Sequence, residues 1–444
     1  MDILKFDLKN NGNKFKILNA TNGGPWYTRQ AKNNARNNFN EYKAARIPYS
    51  RNHDSKMCGI YNGPFSHDIS AIFPDFNADE NDPASYDFAC TDEEIFKCLE
   101  AGTETFFRLG QTIEHQIAKR HVYPPKDFNK WASICEHIIR HYNEGWADGF
   151  NYNIQYWEIW NEPDLKNYNA LTDSWWSSTW LGTKEQFFDL YSITAKRLKE
   201  CFPNVKIGGP GLACDRKWLA HFLAEMRQRN VEIDFLSWHI YCTEPIDAVK
   251  MGEEMRELLD QNGYTSTESI LDEWNYVKGW AGDNYQYSVD TKLGLKGAAF
   301  TLATICASQH STIDMLMYYD TRPSQWNGVF NYFTYKPLKG YYPLYWYGMF
   351  YDCFKEIPCD TEVENIYCLC GIKNDGKIIA TVTHYTDKDF DGEIADKKVK
   401  LDFGKSGNYE IYLLDNNHNG ELIKVTDDLT FTLPIHTSVL IKEI

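Results

Sequence analysis

Short apolar runs alternate with amphipathic stretches along the first three quarters of the chain. Residues 184–201, for example, place Phe187, Leu190, Tyr191 and Leu198 at the spacing of one helix face. Eight of the apolar runs have the length and character of buried strands, at residues 16–22, 47–53, 103–109, 154–160, 205–209, 235–241, 269–273 and 315–319. Eight strand–helix units in succession predict a closed (β/α)₈ TIM barrel over residues 15–355.

The pattern changes after residue 356, where apolar and polar residues alternate with period two. Turn sequences such as Asn374-Asp375-Gly376 separate these runs, which lie at residues 377–383, 399–403, 409–414, 429–433 and 437–442. Residues 356–444 are therefore predicted to form a small antiparallel β-sandwich module. Residues 3–8 resemble a strand with no helix after it, so we expect residues 1–14 to join this module before the chain enters the barrel.

Two of the predicted barrel strands end in a carboxylate. Glu162 follows an aromatic run in Trp-Asn-Glu-Pro, and Pro163 lacks the N–H that a continuing strand needs. Glu273 ends the run at residues 269–273. The carboxyl ends of barrel strands are where active sites are built, and two carboxylates there suit retaining glycoside hydrolysis. Glu162 is then the predicted acid/base and Glu273 the nucleophile, with carboxyl groups about 5–5.5 Å apart.

Asp272 directly precedes Glu273 and competes with it for the role of nucleophile. Side chains alternate along a strand, so we expect these two carboxylates to point to opposite sides, with only one facing the pocket. We favour Glu273, because Trp274 and Asn275 follow it at the exit of the strand.

Further candidate residues share inward faces near strand ends. His239 and Tyr241 are two positions apart on one strand, and the Tyr241 hydroxyl can donate to the nucleophile. Arg51 and His53 share a face in the same way. An arginine beside Glu273 would keep it ionised by lowering its pKa.

Two more residues complete the predicted pocket. Asn161 precedes the acid/base, where it can bind the 2-hydroxyl of a sugar. Trp326 follows the eighth strand and is a candidate wall of the sugar pocket, although packing within its loop accounts for it almost equally well.

The net charge limits the classes of partner that we expect the protein to bind. The formal charge of −16 argues against nucleic acid and anionic membranes as partners, because both require basic patches. The 12 cysteines contain no C-x-x-C pair or other zinc spacing, so we expect reduced thiols, no metal and no cofactor.

Localisation is predicted from the same sequence. The first residues lack the apolar segment of a signal peptide, and there is no apolar run of about 18 residues that would span a membrane. We therefore expect a cytoplasmic protein, or a secreted or periplasmic one if a signal has been removed.

The motifs together resemble glycoside hydrolase family 39, a family of retaining (β/α)₈ hydrolases. They are Asn-Gly-Gly-Pro at residues 22–25, Arg-Asn-His-Asp at 51–54, Trp-Asn-Glu-Pro at 160–163, Lys-Ile-Gly-Gly-Pro at 206–210, Trp-His-Ile-Tyr at 238–241 and Asp-Glu-Trp at 272–274. The resemblance implies that Glu162 is the acid/base and Glu273 the nucleophile. It implies that His53, Asn161, His239 and Tyr241 contact the sugar or the nucleophile.

The family resemblance implies a β-xylosidase, the commonest activity of the family, acting on the ends of short oligosaccharides. The same site can serve a β-glucoside, a β-galactoside, an α-L-arabinopyranoside or a uronide, and the resemblance leaves a homo-oligomer open. A carbohydrate-binding barrel without catalysis is the alternative from another class. Such a protein usually lacks one of the two carboxylates, and both are present here.

Overall fold

The computed structural model describes residues 1–10, 12–28, 36–54, 65–114, 118–169, 174–177, 179–389 and 394–444. The first strands along the chain are β1 (Asp2–Lys5), β2 (Ile17–Asn22), β3 (Tyr49–Arg51), β4 (Glu104–Leu109), β5 (Tyr156–Ile159), β6 (Asn167–Asn169), β7 (Ser174–Trp176), β8 (Lys206–Gly208), β9 (Phe235–Cys242), β10 (Glu268–Tyr276) and β11 (Met315–Tyr318). Eight of them close a parallel barrel in chain order, β2-β3-β4-β5-β8-β9-β10-β11. The predicted barrel is confirmed, and each barrel strand lies at one of the eight predicted runs.

Helices surround the barrel. They are α1 (Phe39–Ala45), α2 (Ile69–Ile72), α3 (Ala89–Glu100), α4 (Phe128–Glu144), α5 (Lys184–Cys201), α6 (Arg216–Gln228), α7 (Pro245–Gln261), α8 (Gly282–Leu293), α9 (Leu295–Gln309) and α10 (Tyr341–Gly348), with 3₁₀ turns at Pro83–Ser85 and Met349–Asp352. A capping box starts α5, in which the Thr183 hydroxyl accepts from Gln186 N–H and the Gln186 side chain accepts from Thr183 N–H. Within the described parts of the chain, no helix combines the length and the apolar character needed to cross a membrane.

The barrel interior is built in layers, because side chains two positions apart on a strand point to the same side. An apolar layer forms its lower part, made of Ala20, Phe106, Tyr156, Phe235, Ile270, Met315 and Met317. The positions two residues further along are mostly polar, and they include Asn22, Arg108, Glu158, Ser237 and Asp272. The floor of the site is therefore a polar layer lying on an apolar one.

A second module packs around its own apolar core. Its further strands are β12 (Cys353–Glu356), β13 (Ile366–Lys373), β14 (Ile378–His384), β15 (Lys397–Asp402), β16 (Tyr409–Leu414), β17 (Asn419–Thr426), β18 (Thr430–Leu433) and β19 (Ser438–Glu443). They form a six-stranded sheet, β12-β13-β14-β19-β16-β17, and a three-stranded sheet, β1-β15-β18.

The N-terminal strand β1 joins this module, as predicted. It pairs parallel with β15, an exception to the antiparallel pairing predicted for the module. The sequence pattern also missed β12, β13 and β17. Strand β17 is exposed along most of its length, so it lacks the alternation of buried and exposed residues that marks a half-buried strand.

The module contacts the barrel near the carboxyl ends of β9 and β10. The Tyr385 hydroxyl donates to the Thr243 carbonyl oxygen at 2.5 Å, and the Tyr276 hydroxyl donates to Asp387 at 2.5 Å. Lys296 also pairs with Asp387 at 3.0 Å. These contacts brace the two strands that carry His239 and Glu273.

Candidate active site

Glu162 stands in a sharp turn at the carboxyl end of β5. Trp160 (φ 77°) and Glu162 (φ 48°) both adopt left-handed backbone conformations, which are rare for residues other than glycine. The Glu162 N–H donates to the Gly211 carbonyl oxygen at 2.8 Å, and the Thr179 hydroxyl donates to the Glu162 carbonyl oxygen at 2.6 Å. The turn therefore holds Glu162, which is 9% exposed, at the mouth of the barrel.

Asp272 and Glu273 both point into the barrel. The register of β10 against β9 shifts between Leu271 and Glu273, as in a β-bulge. A bulge breaks the alternation of side chains, so adjacent residues can share one side. Asp272 lies 3.0 Å from Arg51 Nε and Glu273 lies 2.7 Å from Arg51 Nη1. The expectation that these two carboxylates point to opposite sides of the strand was wrong.

The structure brings Glu162 and Glu273 together with His239 between them. One carboxylate oxygen of each glutamate and one ring nitrogen of His239 all lie within 4.8 Å of one another. Inverting glycosidases leave room for a water molecule between carboxyl groups about 6.5–9.5 Å apart, whereas retaining enzymes hold them at about 5–5.5 Å. The observed arrangement suits direct attack by one carboxylate.

Arg51 is the hub of the buried network. Its guanidinium, 0% exposed, contacts Glu158 through Nε at 2.7 Å and Glu273 through Nη1 at 2.7 Å, and it donates to Asn161 Oδ1 through Nη2 at 2.6 Å. Burial acts against its charge, but Glu158, Asp272 and Glu273 raise the pKa of Arg51 well above its ordinary value. A planar group with separate donors can orient several side chains at once.

Glu273 accepts two charge-stabilising contacts. Arg51 lies on one of its oxygens, and the Tyr241 hydroxyl donates to the other at 2.9 Å. Even so, burial raises the pKa of Glu273 above its ordinary value, because desolvation outweighs the opposing effects of His239 and Arg51. The expectation of a lowered pKa at this residue was wrong, although the expected contacts with Arg51 and Tyr241 are present.

His239 links the two glutamates. Its Nδ1 lies 2.9 Å from Glu162 Oε1 and 3.6 Å from Glu273 Oε2. Burial works against a charged imidazole, yet the carboxylates of Glu273 and Asp272 raise the pKa of His239 well above its ordinary value. The ring is therefore held as an imidazolium among acidic groups.

His53 and Asn161 each have a side-chain nitrogen with no hydrogen-bond partner among the described residues. His53 Nε2 lies 4.0 Å from Glu273 Oε1, and within the described residues its buried Nδ1 has no hydrogen-bond partner. The side-chain oxygen of Asn161, Oδ1, accepts a hydrogen bond from Arg51, so the side-chain nitrogen points away from Arg51. This nitrogen also has no hydrogen-bond partner among the described residues. A buried polar atom without a partner is unusual, so both nitrogens are candidates for contact with a ligand.

Aromatic rings lie beside Tyr241. Trp326 is half-buried, with its ring centroid 5.5 Å from that of Tyr241 and 5.4 Å from that of Trp280. Lys292 Nζ lies 4.6 Å from the centre of the Trp326 ring, in a cation–π contact. The structure thus places Trp326 next to the residue that contacts Glu273. The side chains of Trp175 and Trp176, on β7, lie outside the described residues.

Glu158 was missed by the sequence reasoning. It lies two positions after Tyr156 on the inward face of β5, and its second oxygen accepts from the Ser237 hydroxyl at 2.5 Å. Burial raises the pKa of Glu158 to about 8, against the opposing effect of Arg51. The sequence did carry one signal that Glu158 is functional. It is an acidic residue within an aromatic strand, on the same face as the apolar layer.

Glu162, His239 and Glu273 are also a donor set of the kind that binds divalent metals. A histidine ligand must be neutral to coordinate a metal. The raised pKa of His239 opposes this, and Nδ1 is already 2.9 Å from Glu162. The three residues therefore fit a proton-carrying site better than a metal centre.

Comparison with known proteins confirms the family resemblance. Residues 61–274 match the sequence model of glycosyl hydrolases family 39. A beta-xylosidase from Geobacillus stearothermophilus and another from Caldicellulosiruptor saccharolyticus are each 28% identical over 196 residues, 41% of this chain and 36% of the xylosidase. The matched region thus spans little more than a third of either relative.

A solved structure shares the fold over the full length. It is a glucosidase from Croceicoccus marinus, 22% identical, with a TM-score of 0.77 over 100% of this chain and 98% of the glucosidase. At this identity the likeness concerns the fold alone.

Proposed function

We propose that this chain, which belongs to glycosyl hydrolases family 39, is a retaining, exo-acting β-xylosidase that releases terminal xylose from short oligosaccharides. The observation that carries the proposal is the short distance between Glu162 and Glu273, whose nearest carboxylate oxygens lie within 4.8 Å of each other. Both carboxyls stand at carboxyl ends of barrel strands, and both are almost completely buried. Double displacement requires two carboxyl groups in such an arrangement.

In the first step Glu273 attacks the anomeric carbon while Glu162 protonates the glycosidic oxygen. The bond from the anomeric carbon to that oxygen breaks, and a covalent bond to Glu273 forms. Arg51 and Tyr241 hold the two oxygens of Glu273 in a fixed orientation through contacts of 2.7 and 2.9 Å. The Asn161 amide and His53 are suited to bind hydroxyls of the same sugar.

In the second step water replaces the leaving group. Glu162, now ionised, takes a proton from the water molecule as it attacks the anomeric carbon. The bond to Glu273 breaks and the sugar leaves with its original anomeric configuration. The proton taken from water returns to the pair formed by Glu162 and His239, whose Nδ1 lies 2.9 Å from Glu162.

The sugar is inferred from the relatives and from the aromatic wall. Two of the matched proteins are named as beta-xylosidases. Tyr241 contacts Glu273 and packs against Trp326. Because xylose lacks the hydroxymethyl group of glucose, bulky rings can close a pocket around it.

The nucleophile is tested with Glu273→Gly. We expect nearly complete loss of turnover with the fold intact, and recovery on adding azide, which fills the vacant space and gives a glycosyl azide of inverted configuration. Glu158→Gln serves as the matched control, because it removes a buried carboxyl that contacts Arg51 and lies beneath the site. Added azide should not change its turnover. Wild-type turnover by Glu273→Gly would place the nucleophile elsewhere.

The sugar is tested with initial rates on nitrophenyl glycosides. We expect xylosides to be preferred to glucosides roughly 10-fold or more, since one clash with a hydroxymethyl group supplies about 1–3 kcal/mol. Equal or faster rates on a glucoside, galactoside, arabinopyranoside or uronide would assign that sugar and leave the two-carboxylate mechanism in place. Binding without turnover of any of them would favour a carbohydrate-binding barrel.

A further inference from the structure

A third buried acid, Asp272, lies beside the proposed catalytic carboxyls and has no part in the reaction as described so far. It is 0% exposed, and it interacts with the buried Glu158 carboxyl of the same layer. Its neighbours are two cationic groups at ion-pair distances, Arg51 Nε at 3.0 Å and His239 Nε2 at 3.5 Å. A buried carboxylate in this position depends on both of these charges.

His239 faces an acid from each ring nitrogen. Nδ1 lies 2.9 Å from Glu162 Oε1, and Nε2 faces Asp272. The ring can donate from both nitrogens as an imidazolium, or keep only the proton facing Asp272 and accept one from Glu162. The two arrangements differ in the position of a single proton. It is bound either to His239 Nδ1 or to the Glu162 carboxyl group.

We propose that Asp272 is a positioning residue that acts through His239 on Glu162, and that these three side chains form one proton-holding chain. The inference rests on the proposed assignment of Glu162 as acid/base. The negative charge of Asp272 strengthens the hold of the Glu162–His239 pair on its proton. In the first step that proton passes to the leaving oxygen, and in the second step a proton from water restores it.

Several elements contribute titratable or charged groups around the imidazole. They are Glu162 at the end of β5, Asp272 and Glu273 on β10, Arg51 and His53 from β3 and its following residues, and Cys214 after β8, whose thiol donates to the His239 carbonyl oxygen at 3.0 Å.

The balance of these groups favours a charged imidazole. Burial, with Arg51 next, lowers the pKa of His53 well below its ordinary value, so His53 adds no competing charge. Burial acts against a charge on Asp272, but Arg51 and His239 lower the pKa of this carboxyl. Glu158, whose pKa is raised to about 8 by burial, keeps its proton and leaves Asp272 as the anion of the lower layer.

The link between Asp272 and His239 is tested by nitrogen NMR of isotopically labelled histidines. Loss of a signal in His239→Gln assigns His239 among the 12 histidines. We expect native His239 to remain doubly protonated well above its ordinary pKa of 6.5, and Asp272→Asn to lose the second proton at lower pH. A neutral native His239 near neutral pH overturns the inference, even if Asp272→Asn fails to fold, and so does an unchanged titration in a folded Asp272→Asn.

The link to Glu162 is tested by the pH dependence of kcat/KM on an alkyl xyloside, whose poor leaving group requires protonation. We expect Asp272→Asn to move the alkaline limb to lower pH by about one unit, because it removes a negative charge from the pair. Glu136→Gln, the same kind of change at an ion-paired glutamate on α4 away from His239, should leave the limb in place. A lower rate with an unmoved limb in Asp272→Asn would show a merely structural role.

The two tests separate this inference from the proposed function. If the native protein hydrolyses no glycoside, the proposed function fails, while the NMR titration still decides whether Asp272 controls His239. If the native protein is a glycosidase but the titration does not respond to Asp272→Asn, the chain from Asp272 to Glu162 is refuted and the two-carboxylate mechanism stands.

Discussion

Glu158 Oε2 lies 2.7 Å from Arg51 Nε, and both side chains are completely buried beneath the site. The same guanidinium reaches Glu273 and Asn161 through its other nitrogens. The geometry of the proposed nucleophile therefore depends on a residue whose three nitrogens point in fixed directions. A lysine at this position offers one ammonium group and cannot replace these contacts.

Arg51→Lys is expected to lower the free energy of unfolding by about 3–5 kcal/mol, because it leaves buried carboxylates unpaired. Chemical denaturation measures this change, and turnover should fall with it. Arg46→Lys is the matched control, since Arg46 pairs with Asp352 at 2.6 Å on the surface, where both side chains are about half exposed. That substitution should change stability by less than about 1 kcal/mol. An Arg51→Lys variant as stable as the native protein would contradict the role of Arg51 as the hub.

Glu158→Gln is expected to change how stability depends on pH. The ordinary pKa of 4.5 is raised by burial to about 8 in the folded protein. Between these two values the folded protein holds a proton that the unfolded chain has released, so Glu158 makes the protein less stable as the pH rises. Glutamine does not titrate, so the stability of the variant relative to the native protein should rise over this window, by at most about 1.4 kcal/mol per pH unit.

Denaturation midpoints from about pH 5 to about pH 8 measure this difference. Glu410→Gln is the control, because Lys442 and the Tyr412 hydroxyl contact Glu410 and lower its pKa, which removes its titration from this range. Its stability difference from the native protein should be flat. A flat difference for Glu158→Gln as well would mean that Glu158 is ionised in the folded protein.

The positions of the barrel strands could be predicted because apolar runs separated by amphipathic helices have few other solutions. The candidate residues at strand ends followed from the same pattern. The bulge before Glu273 could not, since a one-residue register shift depends on pairing with β9 and leaves no mark in the apolar pattern. Without the bulge, Asp272 is assigned to the wrong side of the strand.

The pKa of Glu273 also escaped prediction. The sequence suggested the attractive contact with Arg51, which lowers a carboxyl pKa. The cost of burial depends on how many elements surround the group, and it outweighs that contact here. Glu158 was missed for a related reason, because its partners Arg51 and Ser237 come from distant parts of the chain.

Glu162→Ala is expected to discriminate between leaving groups. Substrates with activated aryl leaving groups need little protonation, so their first step should survive better than that of xylo-oligosaccharides. Single-turnover rates on both substrate types measure this difference. His53→Ala serves as the comparison, since it removes a proposed sugar contact but not the proposed acid, and it should slow both types alike. Equal losses in Glu162→Ala would argue against its role as the acid.

Trp280 is 62% exposed, although its ring packs at 5.1 Å against Tyr241 and at 5.4 Å against Trp326. Tyr241 in turn contacts Glu273, so the free face of Trp280 lies one residue away from the proposed nucleophile. An exposed ring held in place by two others suits the apolar face of a sugar. We expect Trp280 to contact the sugar on the leaving-group side of the cleaved bond.

Trp280→Ala should therefore lower kcat/KM for xylotriose by roughly 3- to 10-fold, the range that about 0.5–1.5 kcal/mol of ring contact supplies. Xylosyl fluoride, whose leaving group is too small to reach Trp280, should be hydrolysed at nearly the native rate, and Trp280→Phe should keep much of the activity on xylotriose. Phe354→Ala is the control, because Phe354 is 49% exposed on β12 of the second module. Equal losses on both substrates in Trp280→Ala would mean that Trp280 supports Tyr241 rather than a second sugar.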